Sequence, residues 1–585
     1  MQISAIRLSK PNNQLNIRQI QPRYVSGTLK NDTVSFSGRY KSERVNVGLD
    51  RAYRITNSLV SSTSGHRAIY GTPEFNADSI RLLSLGVAEY AKKAAKERGR
   101  KPMVMVGGDT REATRKLIGV VTDTLKNQGV NVVLVKKPVP TPLYAHMAST
   151  YTTGLIKNKA FLKKMKFPEE PKLPKEKCDI AVLLTASHNP WEYGGFNLVT
   201  NKGAIASNDI VREIAVCAMD FAKVRRYTID KNNIGEVIKA DPYEMYKNRL
   251  DSYYNLIDWN KIKNAKIDIY YDGLRGTGVS VVPRLMKDHG IKINNFVSSK
   301  QSGPEPNAKN LTELSQKVAD SKKPLRIGLA NDGDADRYGI IDENGQFVSA
   351  NEILLLIAYH LHKNKGRTGA IIRSQATASL VDIYAEQNNL PLIQTPVGFK
   401  FIGESIEKLR KNNKDILVAG EETNGLTING YIPEKDGIVA ISLILDLMAE
   451  EKKPISQILA DVKKSLGVEY GTAFIEKKLA DNGIKDLIVG KVKKVYYDAI
   501  AGKTEFYGFK IDVKKTKDNM KTMEWFKPDG DGVKLYFTNG SSLLVRKSGT
   551  EPKIKAYVES AGDDKAAVDN NIEKLTKIAD IILTP

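Results

Sequence analysis

Strands and helices alternate along most of this chain, and that alternation limits its fold more than any other feature. The stretch NADSIRLLSLGVAEYAKKAAKERG, from residue 76, opens on an Asn suited to cap a helix. It then carries apolar residues at helical spacing and ends on Lys and Arg before Gly99. KPMVMVGGDTRE reads as a short apolar strand running into a turn, REATRKLIGVVTDTLKNQG as a second helix and VNVVLV as a second strand. Strands that are apolar throughout have no polar face to give to water. Helices must therefore cover both sides of the sheet they form, which is the α/β arrangement.

The order repeats. KIDIYYDGLRGTGVSVVPRLMKDHG is again strand, Gly-rich turn and helix, and LRIGLANDGDADRYGIIDENGQFV places two strands around an acidic loop. A third unit opens at NEILLLIAYHLHKNKG and runs through GAIIRS, TPVGFKFIGESIEKL and ILVAGEETNG. Beyond about residue 466 the helices are weaker and strand-like pieces more frequent. The expectation is three similar α/β domains, over residues 56–240, 241–344 and 345–465, and a different fourth over 466–585. A length of 585 residues accommodates that number.

Two segments stand apart. The first 31 residues hold no Asp or Glu but carry Arg7, Lys10, Arg18, Arg23 and Lys30. They lack the apolar core of a secretory signal, whereas an organelle transit peptide would share their acid-poor composition. Residues 1–55 are expected to be a disordered extension. The Lys- and Pro-rich residues 151–178 read as a surface insertion. No run approaches the ~18 apolar residues of a membrane span. Two cysteines, Cys178 and Cys217, exclude a dense disulfide framework and fit a reducing compartment. The net charge of +23 is spread over scattered lysines, with no basic helix or zinc-finger spacing. It reads as a solvated surface favourable to anionic small molecules, and a nucleic-acid partner is not expected.

Four loops carry candidate chemistry, each following an apolar strand, where open α/β sheets place their ligand sites. In Thr185-Ala186-Ser187-His188-Asn189-Pro190, the hydroxyl of Ser187 reads either as a turn residue or as a nucleophile awaiting activation. Adjacent His188 is badly placed to act as the base of a protease-like triad. In Asn331-Asp332-Gly333-Asp334-Ala335-Asp336-Arg337, three alternating carboxylates call for a hard cation such as Mg²⁺. An EF-hand is rejected, although Glu343 falls at its twelfth position, because Arg337 takes the place of the required Gly and strands flank the loop. Gly420-Glu421-Glu422-Thr423-Asn424-Gly425 offers a carboxylate and a hydroxyl suited to vicinal sugar hydroxyls. Arg546-Lys547-Ser548-Gly549-Thr550-Glu551-Pro552 is a plausible phosphate clasp, without the Walker A spacing.

Taken together, in this order and at these spacings, the four loops resemble those of the α-D-phosphohexomutase family, the phosphoglucomutases and phosphomannomutases. The resemblance covers roughly residues 60–585. It is supported by Thr63-Ser64-Gly65-His66-Arg67, GGDTR at 107–111, PEPNAKNLTEL at 304–314 and TPVGFKFI at 395–402. It implies four domains around a central cleft, three of them α/β with mixed sheets and the last a smaller α+β domain. It also implies that Ser187 carries a phosphoryl group and that Asp332, Asp334 and Asp336 hold Mg²⁺ together with an oxygen on Ser187. Arg337 and Arg67 would steady the phosphoryl group. Glu421 and Thr423, with Lys400 nearby, would hold sugar hydroxyls, and Arg546, Ser548 and Thr550 would grip the phosphate that is not reacting. The implied activity interconverts hexose 1- and 6-phosphates, with a trace of hexose 1,6-bisphosphate to phosphorylate Ser187. The implied setting is a cytoplasmic monomer or dimer whose partners are small sugar phosphates.

Two residues depart from the family pattern. Thr423 stands where Ser is usual, and the hydroxyl survives. Asn197 stands where many members have a Lys assigned to proton transfer, work an amide cannot do. His188, with an ordinary imidazole pKa near ~6.5, is the first substitute expected and His66 the second. Glu422 and Gly425 occupy places that are usually Gln and His in glucosamine-phosphate mutases, which favours a glucose or mannose phosphate.

Overall fold

The structure, a computed structural model, describes residues 39–62, 65–150, 178–252, 256–299, 303–429, 432–526, 532–548 and 553–584. The insertion expected at 151–178 lies outside them apart from its last residue, the buried Cys178, as do the first 38 residues and Thr63, Ser64 and Thr550.

Three mixed sheets follow one plan. In the first, strands His66–Ile69, Tyr193–Val199, Ile180–Leu184, Met103–Gly108, Asn131–Leu134 and Val237–Lys239 lie side by side in that order. The last four run parallel, and Tyr193–Val199 returns antiparallel beside Ile180–Leu184. Met103–Gly108 and Ile180–Leu184 are buried along their whole length, which is why their sequences do not alternate. In the second sheet Asn294–Phe296, Asp268–Asp272 and Arg326–Asn331 run parallel, and Tyr338–Ile341 turns back against Arg326–Asn331. In the third, Leu392–Thr395, Ala370–Ser374 and Ile416–Glu421 run parallel and Gly425–Ile428 turns back. Each time, a buried parallel strand folds directly into an antiparallel neighbour, and the reversal between them is one of the candidate loops.

The fourth sheet is antiparallel throughout. Its order is Glu469–Lys478, Lys553–Gly562, Ser542–Lys547 and Gly532–Tyr536. Among the helices, Ala77–Glu97 illustrates the local logic. Asn76 Oδ1 accepts from the backbone N–H groups of Asp78 and Ser79, and Ser79 Oγ accepts from Asn76 N at 2.8 Å. Such a cap stabilises a helix end by about 1 kcal/mol.

The polypeptide starts to fold earlier than residue 56. Tyr40–Arg44 pairs antiparallel with Arg226–Asp230. Leu49–Ser61 is a helix that buries Ala52, Ile55, Thr56 and Leu59 and packs on the helix Asn208–Val224. Those four residues recur at helical spacing, so this segment has an apolar stripe to bury and is part of the first domain. One continuous apolar core joins the first three domains, including Met105 and Tyr144, Ile269 and Leu285, Leu356 and Ile441. The fourth has its own, built around Val492, Leu535, Val558 and Leu575.

Candidate active site

Ser187 follows the buried strand Ile180–Leu184 and adopts a left-handed backbone, φ +50°. A non-glycine residue held there costs about 1–3 kcal/mol and persists only where its surroundings enforce it. Arg111 does so. Its side chain is wholly buried, its Nε pairs with Asp109 Oδ2 at 3.0 Å, and its two Nη atoms donate to the carbonyls of Ser187, Asn189, Pro190 and Tyr193. Asp109 is fixed in turn by Thr114 Oγ1 at 2.7 Å. A rigid planar guanidinium with five donors suits this bracketing better than an ammonium. The GGDTR match is thus the frame of the serine loop, a role the sequence reading did not give it. Held this way, Ser187 Oγ donates to Asp332 Oδ2 at 3.0 Å and lies 3.3 Å from His188 Nδ1.

Asp332, Asp334 and Asp336 are all buried, and one oxygen from each lies within 4.8 Å of the others. Asp334 Oδ2 accepts from Thr141 Oγ1 (2.8 Å) and Thr185 Oγ1 (3.2 Å), while Asp334 Oδ1 and Asp336 Oδ1 are buried with no hydrogen-bond partner. Burial, and then the charges of Asp334 and Asp336, push the Asp332 carboxyl well above its ordinary range. Asp336 is raised by burial and Asp334, with partial relief from Lys435 and Arg337. Crowded, orphaned oxygens in a dry site are costly until a cation joins them, and an all-oxygen donor set fits Mg²⁺.

Lys435 is the residue the sequence reading missed. Its Nζ lies 3.0 Å from Asp336 and 2.8 Å from Glu434. Burial works against its charge, but Asp336, Glu434 and Glu421 outweigh burial and raise its pKa, so it is an ammonium. The next residue, Asp436, caps the apolar helix Gly437–Glu451 through Ile438 N and Val439 N and also accepts from Tyr246 OH. An acidic–basic–acidic run ahead of an apolar helix was the available signal.

Arg337 N donates to Asp332 Oδ1 at 3.1 Å, and its guanidinium lies 3.7 Å from Glu305 of the PEPNAKN segment. Its backbone bridges to Gly425, and Tyr338 N donates to Asn424 O, so the metal and sugar loops are backbone neighbours. Arg67 donates to Asn189 Oδ1 at 2.7 Å. Burial lowers its pKa to about 10, which leaves it charged.

His188 departs from the expected titration. Burial, then Arg337, Arg67, Lys435 and Arg111, push its pKa well below that of a free imidazole, so the ring is neutral. His66 is not in the site: its ring nitrogens are engaged by Ser58 Oγ and Glu74 O, and it stacks on Phe75 in the core. Asn197 Nδ2 donates to the carbonyl of Thr185 at 2.8 Å. The amide therefore braces the serine loop from behind.

In the sugar loop, Glu421 accepts from Gly398 N at 2.7 Å. Burial and then Glu422 push its carboxyl up to about 7. Thr423 is half-buried in the turn. Lys400 reaches across to Asn208 Oδ1 of the first domain at 3.3 Å. In the clasp, Arg546 and Ser548 are mostly buried, and Ser548 N donates to Lys553 O at 2.9 Å. Arg546 Nη2 lies 3.8 Å from Glu422 Oε1.

Four family models match: Phosphoglucomutase/phosphomannomutase, alpha/beta/alpha domain I over residues 59–221, domain II over 244–345, domain III over 349–465, and the C-terminal domain over 501–571. A phosphoglucomutase/phosphomannomutase of Thermococcus kodakarensis is 27% identical over 503 residues, covering 85% of this chain and 92% of its own. A phosphoglucomutase of Staphylococcus haemolyticus is 25% identical over 548 residues, covering 88% and 92%. The crystal structure of parafusin (phosphoglucomutase) from Paramecium, in an open form, superposes with a TM-score of 0.69 at 21% identity, covering 93% of this chain and 96% of its own, a likeness of fold. With all four domain models matched in order along its length, this chain belongs to the phosphoglucomutase/phosphomannomutase family of isomerases.

Proposed function

We propose that the protein interconverts a hexose 1-phosphate and its 6-phosphate through a phosphoryl group carried on Ser187, with glucose phosphate favoured and a trace of hexose 1,6-bisphosphate to prime the serine. The observation that carries this reading is the setting of Ser187: a left-handed hydroxyl, bracketed by Arg111, 3.0 Å from a buried aspartate trio. A turn residue needs no such frame.

Asp332, Asp334, Asp336 and an oxygen on Ser187 would hold Mg²⁺, which when bound would neutralise charge on the phosphoryl group. Arg337 and Arg67 orient that group. Glu421 and Thr423 hold sugar hydroxyls beside it. Arg546, Ser548 and Thr550 grip the distal phosphate and are blind to which end of the sugar carries it, as a site that must accept the bisphosphate in two orientations requires. His188 Nδ1 lies 3.3 Å from Ser187 Oγ, and burial and the surrounding cations keep its ring neutral beside that oxygen. The unpaired Cys178 and Cys217 suit a reducing, cytoplasmic setting, and no described helix is long and apolar enough to cross a membrane.

Incubation with glucose 1,6-bisphosphate should add one phosphoryl group, placed on Ser187 by peptide mapping. Ser187→Ala should lose turnover with glucose, mannose and glucosamine phosphates alike. Full activity in that variant would remove the mechanism.

A further inference from the structure

Glu422 has no role in the reading above, yet it is the carboxylate that meets the clasp. Its side chain and that of Arg546 are each only 9% exposed, and its Oε1 lies 3.8 Å from Arg546 Nη2, beyond hydrogen-bond reach. Oε1 makes no hydrogen bond although it is buried, while Oε2 is held by Ser374 Oγ at 2.7 Å. Ser374 is itself fully buried and bonded to Thr377 Oγ1. The carboxylate is thus tethered from behind, close enough to balance the guanidinium and too far to close on it.

We propose that Glu422 is a built-in counter-ion that discriminates against lone anions at the clasp. This rests on Arg546 binding the distal phosphate. An incoming phosphate must share Arg546 with a fixed negative charge in a mostly dry site, which weakens the hold on any anion arriving alone. A sugar phosphate also engages Glu421 and Thr423, the residues on either side of Glu422, and recovers there what it loses at the clasp. Inorganic phosphate, a product of unproductive hydrolysis, has no such second contact. The sugar-binding turn and the clasp then act as one selectivity element across two domains.

The test measures binding of inorganic phosphate and of glucose 1-phosphate by calorimetry on the full chain. Glu422→Gln keeps the shape and removes the charge. It should tighten inorganic phosphate roughly tenfold and the sugar phosphate less, and the gain should vanish in an Arg546→Gln background. Ser374→Ala should act in the opposite sense, because an untethered Glu422 can close on Arg546 and weaken phosphate further. Unchanged or weaker phosphate binding in Glu422→Gln, with Arg546→Gln still weakening it, would overturn this proposal alone. So would a gain that persists without Arg546. Unchanged binding of both ligands in Arg546→Gln would overturn the clasp reading and this proposal with it.

Discussion

Ser187, Asp334 and Gly425 belong to three different sheets, yet the backbone ties their loops together. Thr141 N donates to Asp334 O, Tyr338 N donates to Asn424 O, and one apolar core runs behind all three domains. Arg546 is joined to the same cleft in another way. Its domain has a separate core, and side chains join it to the third domain. Ser379 and Lys534 meet at Glu559, Asn519 meets Gln394 at 2.7 Å, and Arg546 faces Glu422. Phosphoryl transfer needs its groups held in place, since a misplacement of about 1 Å can cost ~10²-fold in rate. On the proposed function, a clasp that receives either end of a hexose needs a seam that can part and re-form.

If the comparison holds, damage to the two regions should look different in kinetics. On the proposed mechanism, Asp334→Asn removes a charge beside the reacting phosphoryl group and should cut kcat by about 10²–10³-fold with KM little changed. Arg546→Gln should chiefly raise KM. Equal losses of kcat in both variants would erase the distinction between them.

The seam itself is the next target. Glu559 accepts from Ser379 N, Ser379 Oγ, Tyr470 OH and Lys534 Nζ. Burial would raise its carboxyl pKa, but Lys534 and Arg373 override burial and bring it down to about 2. A depressed carboxyl stabilises the native state above its unfolded value, near ~4.3, and that contribution is lost as pH falls toward the folded value. Glu559→Gln leaves the fully buried Lys534 without its counter-charge and should loosen the fourth domain by about 3 kcal/mol. Amide exchange should then quicken across this seam and not in the strand Ile180–Leu184. Uniform quickening would mean that the four domains unfold as one unit.

How legible this was from sequence differs by region. The three hairpin loops could be read because their chemistry is local: each side-chain set sits within six residues after an apolar strand. Their supports could not. Arg111 acts on carbonyls some 80 positions away, and backbone carbonyls carry no sequence signal. Lys435 stands in a charged run whose sequence does not show its partner, and only folding brings Asp336 to it. His188 was named correctly as a neighbour of Ser187 and wrongly as a group titrating near neutrality, because the four cations around it come from three domains. The helix Leu49–Ser61 carried a readable stripe, but it follows a long stretch with no alternating strands and helices to frame it.

The smallest expected effect lies where the two regions meet, at Glu421. Its carboxyl is pushed up to about 7, first by burial and then by the neighbouring charge of Glu422, against the pull of Lys435, Gly398 N and Arg337. A raised carboxyl pKa means that the folded protein holds this proton more tightly than the unfolded chain does. Its contribution to stability is therefore greatest below ~4.3 and declines as pH rises to about 7. For binding the sense is reversed. The ionised carboxylate accepts hydroxyl hydrogen bonds about twice as strong as those of the neutral acid. KM for the sugar phosphate should therefore fall a few-fold between pH 6 and 8. The substrate phosphate titrates in the same interval, so the wild-type profile alone is ambiguous, and Glu421→Gln separates the two by keeping the phosphate and removing the carboxyl. A residual slope equal to that of the wild type would assign the whole effect to the phosphate. A flattened profile would place the proton on Glu421, and Glu422→Gln should then move the midpoint downward, because the second-largest cause of the shift has been removed. That displacement would also show that the turn between Glu421 and Gly425 senses charge at the seam, which neither a rigid nor an independent pair of domains would produce.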